Sequence, residues 1–267
     1  MNAPELPFLL LHGWACPTIT WTPVAARLRA LGHSVEIPPL LGYGPLLGYG
    51  QAGTMRDAVR DEADWTLEAA AHDAARLLER LGSPAVVAGH SLGGSVAATL
   101  AILRPELVAA VAFVGMVPVA PSATTARRLG RLFLEAAGPP SREAVETCLA
   151  AWYGGRATDP ALAAELEAAF GVPAPVLRGS LRAALSGVAP AVTEQLAAPV
   201  GVVLGAGDRT RPPEEVERIL AEHPDWTPTV VPGAGHMVQW EAPDECADAL
   251  AALAGRIPGP RTTPTRQ

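Results

Sequence analysis

Short runs rich in Val, Leu and Ala alternate along the chain with longer stretches in which Ala and Leu recur at helical spacing among Arg and Glu. That alternation predicts a parallel sheet with helices on both faces, an α/β fold. The expected strands cover residues 8–12, 34–38, 85–89, 108–115, 200–205 and 229–231, and the expected helices cover 20–31, 67–81, 93–104, 213–222 and 243–253. In the helix over 67–81, Ala70, Ala74, Leu77, Leu78 and Leu81 form the apolar stripe, while Asp73, Arg76, Glu79 and Arg80 mark the wet face.

Two segments break the alternation. Between the fourth and fifth strands, residues 118–198 carry helical runs near 125–137, 142–152 and 161–170, which reads as an inserted helical cap. The core is then made of 1–117 and 199–257. The second break, 41–65, contains the near-duplicate Leu41-Gly42-Tyr43-Gly44-Pro45 and Leu47-Gly48-Tyr49-Gly50-Gln51, too short for a solenoid repeat. Its glycines argue for a mobile apolar loop; a slip with no task is the alternative. Residues 258–267 are polar and Pro-rich, a flexible tail.

Composition narrows the classes. With 267 residues, 49% hydrophobic and 18% charged, the chain is no disordered segment, and the body contains no Ser/Gly-rich linker, which favours one domain with an insertion. All 20 basic residues are arginine against 27 acids, a net charge of −7 that disfavours a nucleic-acid partner. Residues 107–126 are uncharged, but Pro118, Pro121 and neighbouring polar residues end the apolar part after about 15 residues, short of the ~20 a membrane helix needs. A buried strand running into a loop is expected there, and no membrane association. Cys16, Cys148 and Cys246 are odd in number and widely spaced, suggesting neither a disulfide framework nor a metal site. The first basic residue is Arg27, so the apolar residues 8–11 lack a positive leader, and a cytoplasmic location is expected.

The chemistry gathers at strand ends. Gly89-His90-Ser91-Leu92-Gly93 follows an apolar strand and precedes a small-residue helix, the context a serine on a sharp strand-to-helix turn requires. Side chains at positions 89 and 93 would strike the neighbouring elements, hence glycine. A serine hydroxyl becomes nucleophilic only when a base takes its proton, and the base must be held by an acid. His236 follows the last strand in a Gly-rich turn, and Asp208 follows the fifth. In a parallel sheet these ends share one rim, so Ser91, Asp208 and His236 are the candidate triad. An aspartate after a strand is also a common turn former, and a lone histidine is commonly structural. His33, His72 and His223 fall on the wrong elements, and His12 and His90 are read as structural neighbours of the motifs. A tetrahedral intermediate needs two N–H donors: the backbone of Leu92 and, from the loop after the first strand, that of Trp14.

Taken together, His12-Gly13-Trp14, Gly89-His90-Ser91-Leu92-Gly93-Gly94, Gly207-Asp208 and Gly235-His236 in this order resemble the α/β-hydrolase superfamily over most of the chain from Phe8 to Leu253. The resemblance implies a Ser-His-Asp hydrolase without cofactor or metal, acting on an ester, thioester, lactone or similar small acyl compound. His12-Gly13-Trp14 followed by Trp21 is similar to the pimeloyl-carrier-protein methyl ester esterases and to cofactor-free perhydrolases. Relatives usually have one or two antiparallel strands before the first motif strand, and here only residues 1–7 precede it, so about six strands are expected, with 34–38 at an edge. Glu36, Pro38 and Pro39 would blunt that edge, while homodimer pairing through it stays open.

Trp14, Tyr43, Tyr49, Phe133, Trp152 and Tyr153 are available to line an apolar pocket between cap and core, or to fill the core. Arg127, Arg128 and Arg131 would suit an acidic carrier protein or carboxylate, or form a solvated helix face. The leading expectation is an esterase or lactonase working through an acyl-enzyme. Carbon–carbon bond hydrolysis, perhydrolysis, cofactor-free oxygenation, or a non-catalytic ligand receptor built on the same shell are the competing readings.

Overall fold

The computed structural model describes residues 6–44, 59–136, 138–153 and 160–257. Among these residues six strands form one parallel sheet: β1 (Phe8–Leu11), β2 (Val35–Glu36), β3 (Ala85–His90), β4 (Val108–Val114), β5 (Val200–Gly205) and β6 (Thr227–Val231), in the order β2-β1-β3-β4-β5-β6. The edge strand β2 is shorter than its apolar pattern, because Pro38 and Pro39 carry no N–H for the ladder. β6 starts two residues earlier than expected and contains Pro228, tolerated because this strand is the opposite edge.

Alternate residues of the central strands face opposite layers. Leu9, Leu11, Val87, Val111, Phe113 and Val202 join one buried cluster with α2 (Leu67–Leu81) and α3 (Leu92–Leu103). Phe8, Leu10, Val86, Ala88, Ala110, Ala112 and Val114 join the other, against α1 (Thr22–Ala30). Both faces are therefore covered, and β3 and β4 read as unbroken apolar runs for that reason. Thr66 caps α2 by accepting from the Ala69 N–H, and Gly82 at φ 71° ends it in the left-handed conformation. The helix expected over 20–31 splits, because a 3₁₀ turn at Thr18–Trp21 precedes α1 and Pro23 sits at its start.

Between β4 and β5 the chain forms α4 (Ala123–Leu129), α5 (Arg142–Tyr153), α6 (Pro160–Ala169), α7 (Ala174–Ser186) and α8 (Pro190–Thr193). The run expected over 125–137 starts at the Ser122 cap and passes into a π turn at Gly130–Leu134. The thirteen-residue α7 is an addition to the three runs the pattern predicts. Its first turn contains Pro175, which a helix accepts at that position. After β5 come α9 (Pro213–Glu222), and after β6 α10 (Val238–Glu241) and α11 (Pro243–Ala254), which packs beside α1 on the second face. No helix among the described residues is long and apolar enough to cross a membrane.

Candidate active site

Ser91 sits where β3 turns into α3, at φ 50° and ψ −120°. A non-glycine residue holds such a backbone only where its surroundings impose it. Here they do: a Cβ at Gly89 would lie 2.1 Å from the Gly93 oxygen, and one at Gly93 would lie 2.4 Å from the Leu11 oxygen. The turn closes because neither carries a side chain. The Ser91 N–H donates to the Val114 oxygen at 3.2 Å, which ties the turn to the end of β4.

The loop after β1 is held from two sides. His12 Nε2 accepts from the Leu40 N–H at 2.9 Å, so the proton resides on Nδ1, which donates to the Gly13 oxygen at 2.8 Å. Burial in this position pulls the His12 ring down to about 4, keeping it neutral. Fixing the Gly13 carbonyl also fixes the Trp14 N–H, because the two groups share one planar peptide and point opposite ways. Tyr43 props the next residue, its hydroxyl accepting from the Ala15 N–H at 3.2 Å. Among the described residues neither the Trp14 nor the Leu92 backbone N–H has a hydrogen-bond partner.

Beyond β5 and β6 two loops interlock. Ala206 N–H donates to the Val231 oxygen and Gly207 N–H to the Ala234 oxygen. His236 Nδ1 lies 2.9 Å from Asp208 Oδ2, and Thr210 supplies its N–H to Asp208 Oδ1 at 2.8 Å. Burial alone would push the Asp208 carboxyl up. The His236 ring and the hydrogen bonds from His236 and Thr210 outweigh it and hold the carboxyl at about 2. An ionised carboxylate only accepts, so Nδ1 carries the imidazole proton and Nε2 is left to take another.

His236 is further pinned by partners outside the three candidates. Glu241 Oε1 accepts from the N–H groups of Gly235 and Met237, and His90 Nε2–H donates to the His236 oxygen at 3.1 Å. The His90 and His236 ring centroids are 4.8 Å apart. Burial, and next the neighbouring His236, push His90 well below the ordinary imidazole value, so it stays neutral. The roles of Glu241, Thr210 and His90 escape the sequence. Only the Ser91-His90 adjacency hints at any of them.

Ser91, Asp208 and His236 line one cavity of about 370 Å³, together with Trp14 and Leu92. Among the described residues no hydrogen bond joins the Ser91 and His236 side chains. The cavity is mainly apolar, with Met116, Val117, Leu129, Trp152 and Leu181 on its walls. Of the expected pocket aromatics, Trp14 and Trp152 reach it, and Tyr49 lies outside the described residues. Tyr43, Phe133 and Tyr153 do not reach it, and each has a packing reason. Tyr43 is fully buried against His12 with its hydroxyl 2.8 Å from Ser180 Oγ. Phe133 meets Trp14 edge-on at 4.8 Å and stacks on Phe170 at 5.8 Å, and Tyr153 is enclosed with Cys16, Leu166 and Met237.

Comparison with known proteins places the chain in a family. The model of the alpha/beta hydrolase family matches residues 8–249. A pimeloyl-[acyl-carrier protein] methyl ester esterase from Klebsiella pneumoniae is 36% identical over 112 residues, 41% of this chain and 36% of that enzyme. Lipase LipV from Mycobacterium tuberculosis is 41% identical over 83 residues, 31% of this chain and 28% of that protein. The matched region thus spans roughly a third of the length of these curated relatives, 36% and 28%. A thermophilic esterase from Thermogutta terrifontis superposes with a TM-score of 0.71 at 23% identity, covering 96% of this chain and 92% of that one. A hydrolase from Oleispira antarctica gives a TM-score of 0.76 at 15% identity, covering 96% and 93%. At these identities the superpositions speak for the fold alone.

Proposed function

This chain belongs to the alpha/beta hydrolase family, and from that premise we propose that it hydrolyses carboxylic esters of apolar acyl groups through Ser91, His236 and Asp208. The observation that carries the reading is the 2.9 Å contact of His236 Nδ1 with Asp208, which leaves Nε2 basic in the cavity that Ser91 enters from its strained turn. His236 takes the Ser91 proton as Oγ attacks the ester carbonyl. Asp208 holds the ring in the Nδ1–H tautomer and stabilises the imidazolium that results. The reading requires Oγ to close onto Nε2, a kind of contact that commonly tightens when substrate binds.

The oxyanion is received by the N–H groups of Trp14 and Leu92, the latter at the positive end of α3. His236 then protonates the departing alcohol, water enters, and the same base activates it to release the acid. The inserted helices, 118–198, act as a cap whose apolar side chains receive the acyl chain and exclude water from the intermediate. Buried free thiols at Cys16, Cys148 and Cys246 suit work in a reducing cytoplasm.

A fluorophosphonate probe and a series of p-nitrophenyl esters test the reading directly. The parent chain is expected to label at Ser91 and to favour uncharged acyl groups. Ser91→Ala is expected to lower kcat by about 10⁴-fold or more, with the melting temperature unchanged. Absence of both labelling and turnover across the series would remove the hydrolase reading.

A further inference from the structure

The loop that carries Asp208 is bound to the root of the inserted helices as well as to His236. The insertion departs at 118–121, and the stretch ahead of α8 comes back against this stem at Gly187. Gly187, at φ 61°, packs so closely that a Cβ there would lie 2.2 Å from the Ala120 nitrogen and 2.5 Å from the Val119 carbonyl carbon. Arg211 grips the same stem, its Nη2 donating to the Val119 oxygen at 3.0 Å and to the Ala120 oxygen at 2.7 Å. One residue earlier, the Thr210 oxygen accepts from Thr125 Oγ1 in the first turn of α4 at 3.2 Å. Residues 208–211 therefore contact the insertion through the Arg211 side chain and the Thr210 carbonyl, and His236 through Asp208, with Thr210 Oγ1 also 3.4 Å from His236 Nδ1.

The choice of arginine follows from its surroundings. Its side chain is only 11% exposed, and a cation taken out of water is costly unless it is neutralised and hydrogen-bonded. Glu215 supplies the charge, with Oε1 3.1 Å from Nη1 but out of line for a hydrogen bond. The stem carbonyls supply the acceptors, both taken by Nη2, while Nη1 faces Glu215, so the two ends of the planar guanidinium serve the stem and the carboxylate separately. If the insertion lifted, those carbonyls would leave and the guanidinium would stand poorly paired at the cavity wall it lines. The cost of that state favours the seated insertion and the loop conformation that aims Asp208.

We propose that Arg211 is a positioning residue that locks the Asp208 loop to the root of the inserted helices, so that the Asp208–His236 pair is set only when the insertion is seated over the cavity. This rests on the reading that Asp208 and His236 perform the proton transfer.

The test compares Arg211→Met, Arg211→Lys, Thr125→Val and Asp208→Asn in the full chain. The readouts are p-nitrophenyl ester kinetics and the low-field proton resonance of His236 Nδ1–H. Arg211→Met is expected to lower kcat about 10- to 100-fold with KM held within about threefold, since a small misplacement of a catalytic group costs rate rather than binding. The low-field resonance should broaden or vanish, and Arg211→Lys should recover part of both. A kcat within about twofold of the parent, or a change in KM alone, overturns the proposal. Should Arg211→Met fail to fold, Arg211→Lys and Thr125→Val carry the test, with an expected loss of about threefold in kcat for each and a broadened resonance. Parent values in both would overturn it. Asp208→Asn separates the two levels: activity retained there defeats the catalytic reading itself, whereas activity lost there but kept in every Arg211 variant defeats only this inference.

Discussion

The rim of the sheet and the inserted helices above it are held by different means. At the rim, backbone meets backbone: glycines at 89, 93 and 205 let a neighbouring carbonyl approach to a point where any Cβ would collide, within 2.4 Å in each case. Apart from the close backbone approaches at Gly179 and Gly187, the insertion is held by side chains. Arg178 binds the carbonyls of Phe133, Leu134 and Ala136 and pairs with Glu62, Trp14 Nε1 donates to the Leu177 oxygen, and Arg211 grips the stem. A backbone contact has essentially one geometry, whereas a side-chain tie can break and remake. On the function proposed above, the rim suits a site that must be preorganised, and the insertion suits a cover that must admit substrate.

A matched pair of glycine substitutions puts the largest strain on this contrast. Alanine normally stabilises a helix by about 1 kcal/mol relative to glycine. Gly93→Ala in α3 is nonetheless expected to lose about 3 kcal/mol or more, because its Cβ would lie 2.4 Å from the Leu11 oxygen and 2.6 Å from the His12 oxygen. Gly130, helical at φ −56° and ψ −49° with nothing within 4 Å of its Cβ position, should gain up to about 1 kcal/mol as Gly130→Ala. Chemical denaturation measures both. Equal and small effects at the two positions would dissolve the distinction.

The same division explains what the chain pattern reveals. Strands buried on both faces read as continuous apolar runs, and the residues just past β3, β5 and β6 necessarily reach one rim. Ser91, Asp208 and His236 could therefore be nominated together. The glycines announce themselves because collision leaves no alternative. Little of this holds for the insertion. α7 is hidden by Pro173, Pro175 and Gly179, although the last is required: a Cβ there would lie 2.5 Å from the Glu62 oxygen. Which aromatic faces the cavity depends on depth, and Tyr43, Phe133 and Tyr153 lie deeper than composition can tell. Arg211 meets the Val119 carbonyl across 92 positions, a partnership no local pattern encodes.

Acid should reach the rim first. The unfolded chain protonates His12 near the ordinary imidazole value of 6.5, whereas burial delays it in the folded chain to about 4. Between those values the unfolded state binds more protons, so stability declines as pH falls through that window, by on the order of 3 kcal/mol from this residue. His90, pushed down in the same way, adds to the decline. Asp208 acts in a lower window. Its carboxyl is held at about 2 against an ordinary 3.8, so its contribution persists until the pH drops below the upper figure. Glu62 at the insertion is likewise lowered, chiefly by its hydrogen bond from Arg182. Melting temperature followed from pH 7 to pH 4 should fall, and His12→Gln should flatten the slope. A parent curve that is level over this range would refute the account of His12.

The smallest effect should arise where one side-chain tie to the insertion is cut. Arg178→Met removes hydrogen bonds to three carbonyls at the end of the π turn and an ion pair whose partners are 22% and 31% exposed, so water can replace much of what is lost. A global change of only about 1 kcal/mol is expected, concentrated in one place. Amide exchange over α4 and the π turn should accelerate about tenfold while β3 and β4 keep their protection. If exchange rose equally in the strands, the insertion and the rim would open as one unit, and the idea of a cover that moves over a fixed floor would fail. If it rose only above the cavity, the covering helices would have a stability of their own, low enough for substrate entry to occur without disturbing the turn that presents Ser91.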